Sequence, residues 1–278
     1  MDGTIIATGL AFPEGPVWLD GDVLLTEIAG GTIARWSPAS GLTRIAAVGG
    51  GPNGATLGAD GALYVTQNGG MFSDDADRVT AGILRVDPDD GSWAVMATEV
   101  DGLTLEGPND LAFGPDGRLY FTDPRGAADP ALNGRPGRLF AVELASGGRV
   151  TDGELLREVG PVFPNGIAFD ADGTLLWTES FSRRVMRLVD GRAEVVIGLP
   201  ERHAPDGMCV GADGTLYVAS TYAHCVSVVR DGAIVERLMC GDGMVTNCCF
   251  GATDLYVTES RRGTLYRFPL GVEGLPLH

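Results

Sequence analysis

The stretch GPNDLAFGPDGRLYFTDP (107–124) returns in altered form as FPNGIAFDADGTLLWTES (163–180). Each copy begins with a polar residue after proline and continues with an apolar run, an Asp-Gly turn and a second apolar run. Asp-Gly between two apolar runs is a strong signal for a β-hairpin. Related units occur six times along the chain, and they are headed by Glu14, Asn53, Asn109, Asn165, Asp206 and Asn247.

The spacing of these six units predicts the fold class. Successive heads are 39, 56, 56, 41 and 41 residues apart. Repeats of this length with strands in every unit are typical of a β-propeller, with one blade per unit. We therefore predict an all-β protein, a six-bladed β-propeller with four antiparallel strands per blade, as a single domain over 1–278. The sixth unit lacks an outer strand, so the N-terminal segment TIIAT (4–8) is expected to close the last blade.

Composition excludes several classes of partner. The chain has 37 acidic residues against 20 basic ones, all of them arginine, and a formal net charge of −17. Nucleic acids and anionic membranes require basic surfaces, so neither is an expected partner. The absence of lysine also excludes Schiff-base catalysis through a lysine. We expect a monomer or small homo-oligomer that acts on a small-molecule substrate.

The cysteines and the N-terminus indicate a cytoplasmic protein. The five cysteines form no C-x-x-C pair, and they are expected to be reduced, small apolar residues. The N-terminal sequence lacks the basic segment and the apolar run that make up a secretory signal peptide. No apolar run approaches the ~18 residues that are needed to span a bilayer.

Equivalent positions in a propeller point to the same place, so the six head residues are expected to surround the mouth of a central channel. Carboxylate and amide oxygens are the ligands that calcium prefers. Glu14, Asn109, Asn165 and Asp206 are the candidate metal ligands, with two carboxylates to balance a divalent charge. Calcium is the expected ion, with Zn²⁺, Mn²⁺ or Mg²⁺ as substitutes, although zinc usually takes nitrogen or sulfur ligands.

The same residue types also favour ordinary turns, because Asn and Asp side chains bond their own backbone. Taken singly, each head residue is more readily explained as a turn residue than as a ligand. However, the six residues hold the same position in their repeats, which favours a shared site. Glutamate is also a poor turn residue, so a turn does not explain Glu14. Candidate substrate contacts are Asn109 together with the neighbouring positions Asn53, Asp110, Asn247 and His203.

Two units are longer than the rest. The extra segments, 69–80 and 124–136, follow the second strand of their blades and are expected to overhang the channel mouth as lids. Met71 and Phe72 in the first lid suggest a partly apolar pocket, or else a loop that anchors itself by these side chains.

EGPVW (14–18), the two stretches quoted above and PDGMCVGADGTLYVAS (205–220) resemble the SMP-30/gluconolactonase/LRE-like family over nearly the whole chain. The resemblance implies a six-bladed propeller with a catalytic divalent ion, commonly a lactonase. It also implies Glu14, Asn165 and Asp206 as metal ligands, Asn109 as a fourth ligand or a substrate contact, and Asp206 as base or nucleophile.

One departure concerns the substrate. Sugar lactonases of that family often carry arginine at the position of Gly107, so recognition of a polyhydroxylated lactone is in doubt. Arg78 or Arg125 from the two lids are possible replacements.

Several functions remain open from the sequence. The first is lactone hydrolysis with the ion as Lewis acid. The others are phosphotriester hydrolysis or a pathway-specific reaction at the same metal, and a binding propeller without chemistry. A metal-free alkaloid-synthase-like reaction fits the Asn and Asp residues poorly.

Overall fold

The computed structural model describes residues 3–72 and 78–276, and its strands form the six-bladed propeller that the repeats predict. The strands, numbered in chain order, are β1 (Thr4–Thr8), β2 (Pro13–Leu19), β3 (Asp22–Glu27), β4 (Thr32–Ser37), β5 (Gly41–Ala47), β6 (Pro52–Leu57), β7 (Leu63–Gln67), β8 (Gly82–Val86), β9 (Trp93–Ala97), β10 (Glu99–Val100), β11 (Leu103–Thr104), β12 (Leu111–Phe113), β13 (Leu119–Asp123), β14 (Gly137–Leu144), β15 (Val150–Val159), β16 (Pro164–Phe169), β17 (Leu175–Glu179), β18 (Arg184–Val189), β19 (Arg192–Gly198), β20 (Pro205–Val210), β21 (Leu216–Ser220), β22 (Cys225–Arg230), β23 (Ala233–Met239), β24 (Val245–Gly251), β25 (Asp254–Glu259) and β26 (Thr264–Phe268).

Blades 1 to 5 are antiparallel four-stranded sheets in simple sequence order: β2–β5, β6–β9, β12–β15, β16–β19 and β20–β23. In blade 6, β1 pairs with β26 and becomes the fourth strand beside β24–β26. This confirms the predicted closure by residues 4–8. The first strand of each blade contacts the first strands of its neighbours, so these six strands surround the channel.

The hydrophobic core lies between the blades. Each large cluster of buried side chains joins two neighbouring sheets, as when Leu24 and Ile33 of blade 1 pack with Leu63 and Leu84 of blade 2. The last cluster joins blade 6 to blade 1 through residues such as Leu265 and Val23. Apolar side chains on both faces of every blade are therefore buried, which explains why the strands read as continuous apolar runs.

Short segments complete the described chain. A hairpin of β10 and β11 lies between blades 2 and 3, and one turn of 3-10 helix spans Thr221–Ala223. All five cysteines are free thiols. A search of the described residues for a helix long and apolar enough to cross a membrane found none.

Candidate active site

A cavity of about 390 Å³ opens where the inner strands begin. Its wall includes Glu14, Asn53, Asn109, Asn165 and Asp206. Five of the six predicted head residues therefore meet in one cavity, and they include all four predicted metal ligands.

Irregular strand pairing turns these side chains toward the channel. In blades 1, 2, 4, 5 and 6 the register between the first and second strands shifts at the head residue, for example between Glu14 and Val17 and between Pro164 and Ile167. A β-bulge of this kind re-aims a side chain and ends regular pairing, and such bulges are frequent beside active sites. In blade 3, Asn109 precedes the short strand β12 altogether.

In four of the six repeats a glycine follows the head residue, and it allows neighbouring blades to approach one another at the channel. At Gly15, whose φ is +45°, an added Cβ would lie 2.6 Å from the backbone oxygen of Asn53. At Gly166 it would lie 2.5 Å from the backbone oxygen of Asp206. Any side chain there would force neighbouring blades apart, which explains the repeated Glu-Gly, Asn-Gly and Asp-Gly pairs.

A series of buried threonines fixes the backbone of the site from one blade to the next. Each donates its hydroxyl hydrogen to the carbonyl oxygen of the head residue of the following blade. The pairs are Thr26 with Asn53 (2.5 Å), Thr66 with Asn109 (2.5 Å), Thr122 with Asn165 (2.7 Å) and Thr178 with Asp206 (2.8 Å). We did not predict these positioning residues from the sequence, although their threonine recurs in phase in LLTE, LYVT, LYFT and LLWT.

The polar residues that end the second strands bond the loops around the site. Gln67 accepts hydrogen bonds from the backbone N–H of Gly51 (2.6 Å), and Asp123 accepts one from Gly107 (2.9 Å). Glu259 accepts one from Met244 (2.8 Å). These contacts are those of loop caps.

Three carboxyl groups, those of the buried Glu14 and Asp110 and of the half-buried Asp206, lie within electrostatic reach of one another. Burial, followed by repulsion from Asp110, raises the pKa of Glu14 to about 8. Burial also raises the pKa of Asp110 to about 7. The pKa of Asp206 is raised well above its usual value by burial and then by repulsion from Glu14 and Asp110. Ionising all three groups together is costly unless a positive charge joins them.

The structure places the remaining predicted contacts away from the cavity wall. The amide of Asn247 lies beneath the site and donates to Glu14 Oε2 (3.0 Å) and Asp110 Oδ2 (3.5 Å). Asp110 Oδ1 accepts the N–H of Leu111 (2.9 Å). His203 is buried, and its Nδ1 lies 3.2 Å from the carbonyl oxygen of Glu201. None of these three residues lines the 390 Å³ cavity. Asp110 and Asn247 instead line a second cavity of about 120 Å³.

Both predicted lids reach the cavity with their described residues. Phe72 of the first lid and Ala128 and Pro130 of the second line it, while 73–77 lie outside the described residues. Arg125, a possible replacement for arginine at position 107, instead donates from Nε to Glu106 Oε1 (2.9 Å) and does not line the cavity.

The donor set fits a hard divalent cation. Glu14 and Asp206 supply carboxylate oxygens and Asn109 and Asn165 supply amide oxygens to one cavity, which is the ligand chemistry of calcium. The raised pKa of both carboxyl groups means that their ionised forms are disfavoured where no counter-charge is near. Across residues 3–72 and 78–276, no three His, Cys, Asp or Glu side chains converge on a metal position. The fit therefore depends on the two amides.

Comparison with known proteins identifies the family of this chain. The model of the SMP-30/gluconolactonase/LRE-like region matches residues 12–261. The chain belongs to this family. A gluconolactonase of Zymomonas mobilis is 27% identical in an alignment of 293 positions, gaps included, that covers 89% of this chain and 75% of that one.

Solved structures agree on the fold. A gluconolactonase from Xanthomonas campestris superposes with a TM-score of 0.75 at 22% identity, covering 98% of this chain and 89% of that one. A calcium-binding protein from Agrobacterium tumefaciens, described as regucalcin, gives 0.77 at 22% identity, covering 99% and 96%. Both matches span the complete propeller.

Proposed function

We propose that this family member is a lactonase that depends on a divalent metal ion, with calcium as the expected ion. The observation that carries the proposal is the meeting of two carboxylates and two amides in one cavity at the channel mouth. Membership in the family and the likeness to a gluconolactonase over 89% of the chain support the reaction type. The likeness to a calcium-binding propeller supports the choice of ion.

Glu14, Asn165 and Asp206 would hold the ion, with Asn109 as a fourth ligand or a contact to the substrate. When bound, the ion supplies Lewis-acid chemistry, which polarises the lactone carbonyl and stabilises the developing negative charge on its oxygen. A neighbouring cation also favours the ionised form of both carboxyl groups, so it reverses the effect of burial on their pKa values.

Asp206 performs the proton chemistry. Either its carboxylate takes a proton from the attacking water, or a carboxylate oxygen attacks the carbonyl carbon directly. In the first case the hydroxide adds to the carbonyl carbon, the bond between the acyl carbon and the ring oxygen breaks, and Asp206 returns the proton to the ring oxygen. In the second case the same bond breaks as an acyl-aspartyl anhydride forms, a water molecule protonates the ring oxygen, and the resulting hydroxide hydrolyses the anhydride and restores the carboxylate. Thr178 holds the backbone carbonyl of Asp206 at 2.8 Å and so fixes the position of the reacting group.

Glu14 and Asn165 orient the site. The carboxyl group of Glu14 is held in place because its Oε2 accepts hydrogen bonds from the N–H of Gly15 (2.8 Å) and from the amide of Asn247 (3.0 Å). The amide of Asn165 lies 3.3 Å from the hydroxyl of Ser180, to which its nitrogen donates. This arrangement leaves its oxygen as the acceptor atom for a cation.

The test combines elemental analysis with turnover. We expect one bound divalent ion per chain, hydrolysis of γ- or δ-lactones, loss of turnover with a chelator, and recovery on addition of Ca²⁺. Parallel additions of Mn²⁺, Mg²⁺ and Zn²⁺ rank the ions. Metal without lactone turnover would contradict the reaction and direct attention to phosphotriesters. Absence of metal would contradict the site and favour a binding propeller.

A further inference from the structure

The outer wall of the cavity is built mainly from aromatic rings. Phe12 and Phe72 lie with their ring centroids 5.8 Å apart, and Phe163 and Phe181 lie 5.1 Å apart. All four rings line the cavity, together with Tyr222, Met244 and Ile28. Two aromatic pairs above a polar floor form a cavity with a charged end and an apolar end.

Two of these rings are held there by an unusual backbone. Phe12 has a φ of +57° and Phe163 a φ of +54°. Each stands two residues before a head residue, Glu14 in blade 1 and Asn165 in blade 4. A bulky residue in the left-handed region is rare and strained, and such strain is concentrated at functional sites. Both residues direct their rings into the same cavity, which supports a role in binding.

Two of the three side-chain hydroxyl groups that line the cavity donate to the protein backbone, and the third belongs to the exposed Tyr222. Ser180 Oγ donates to the carbonyl oxygen of Pro205 (2.7 Å), and Thr221 Oγ1 donates to that of Ala204 (2.8 Å). A ligand with four or five hydroxyl groups needs several free partners, because each group that stays unpaired in the cavity costs binding free energy. With the carboxylates and amides assigned to the ion, Asn53 is the main amide left for such a ligand.

The position of Gly107, next to the site, is also apolar. A Cβ added there would collide with the terminal methyl of Met71, so this methyl occupies the direction in which a longer side chain would start. The thioether of methionine offers no hydrogen-bond donor to a sugar hydroxyl.

Two arginines stand at the rim of the cavity. Arg183 and Arg202 line it, but both residues are exposed. Because water already solvates an exposed guanidinium, contacts with it contribute little to binding. Apolar surface removed from water contributes to binding in proportion to its area, so we infer that the aromatic walls dominate substrate selectivity.

We propose that the site selects lactones that carry an apolar aryl or alkyl substituent, and that it discriminates against polyhydroxylated sugar lactones. The proposal rests on the proposed lactonase function. The lactone ring lies at the polar floor, and the substituent packs between the two phenylalanine pairs.

The test compares three kinds of substrate on the metal-loaded protein: γ-phenyl-γ-butyrolactone, a series from δ-hexalactone to δ-decalactone, and D-glucono-δ-lactone. We expect kcat/KM to rise about two- to fourfold for each added methylene. We also expect the phenyl lactone to exceed gluconolactone by more than about tenfold in kcat/KM. Gluconolactone turnover equal to or above that of the apolar lactones would overturn this proposal and leave the lactonase intact. Failure to hydrolyse any of them would refute the lactonase itself.

Variants locate the selectivity. We expect Phe181→Ala and Phe163→Ala to lower the ratio of phenyl-lactone to gluconolactone kcat/KM by about tenfold. Phe181 is only partly buried and has an ordinary backbone, so its variant remains informative if the Phe163 variant folds poorly. Trp93→Ala is the control, because Trp93 is an exposed aromatic residue on β9 outside the cavity. An unchanged ratio in a folded Phe181 variant would overturn the proposal.

Discussion

Replacing Glu14 by glutamine should stabilise the ion-free protein while abolishing its activity. The substitution keeps the shape of the side chain. Glu14 Oε2 accepts the N–H of Gly15 and the amide of Asn247, and an amide oxygen in the same place accepts both bonds. The change removes the ionisable group whose burial and repulsion from Asp110 are unfavourable.

The magnitude follows from the pKa. The pKa of Glu14 is about 8 in the folded protein against an ordinary value of 4.5. Because the folded value is the higher one, the stability contributed by this group is complete below pH 4.5 and falls as pH rises toward 8. At pH 7 the group costs the ion-free protein at most about 3 kcal/mol, at 1.36 kcal/mol per pH unit. Glutamine does not titrate, so Glu14→Gln should raise Tm by about 5–10 °C in chelator.

The assay is thermal unfolding at pH 6, 7 and 8, in chelator and in Ca²⁺. In chelator, the advantage of the variant should grow with pH. Calcium at 100 times its Kd should stabilise the wild type by about 2.7 kcal/mol and should stabilise the variant much less. A variant that is less stable than wild type in chelator, or equally stabilised by calcium, would refute the reasoning.

Glu27→Gln is the matched control. Glu27 is fully buried, yet its oxygens accept hydrogen bonds from Arg44 (2.8 Å), Thr32 (2.7 Å) and the N–H of Ala11 (2.8 Å). An amide in its place loses the ion pair and turns an NH₂ group toward donors. We expect a loss of about 1–3 kcal/mol, opposite in sign to the change at Glu14.

Further predictions concern the reacting group, its support and the lid. Asp206→Asn should reduce lactone turnover by at least about 100-fold with an unchanged far-UV circular dichroism spectrum, and wild-type turnover would exclude the assigned role. Thr178→Val should lower the free energy of unfolding by about 1–2 kcal/mol and reduce kcat, whereas the exposed Thr151→Val should do neither, as denaturant titration and kinetics would reveal. Shortening the segment 70–80 should change the ranking of lactone substrates more than Tm, and an unchanged ranking would make that loop mere decoration.

The blade architecture was accessible from sequence because its signals are local and repeated. Asp-Gly turns lie between apolar runs in most blades, and one repeat supports the interpretation of the next. The closing role of 4–8 followed from counting strands, since blade 6 was one strand short. The hairpin of β10 and β11 was not predicted, because two-residue strands around Asp101-Gly102 leave no periodicity to read.

The site was accessible only in part. Glu14, Asn165 and Asp206 hold the same position in their repeats, and this correctly predicted that they share one cavity. The repeat position alone does not predict how far along the channel axis each side chain lies. Asn247 occupies the same position in its repeat, yet its amide lies under Glu14 instead of facing the cavity. The register shifts that aim these side chains depend on pairing between strands, which a single sequence does not encode visibly.

The candidate ligand Glu14 depends on the closing of the ring. It belongs to the first blade, but the amide that fixes its Oε2 belongs to Asn247, 233 residues away in the last blade. The hydroxyl of Thr246 also donates to the backbone oxygen of Pro13 (2.9 Å), across the same seam. Contacts of such long sequence separation form only after the intervening chain has ordered. The pairing of β1 with β26 closes the same blade, so the N-terminal strand contributes to the site as well as to the sheet. A propeller missing that strand would leave an open edge on blade 6, whose inner strand holds the Glu14 carboxylate.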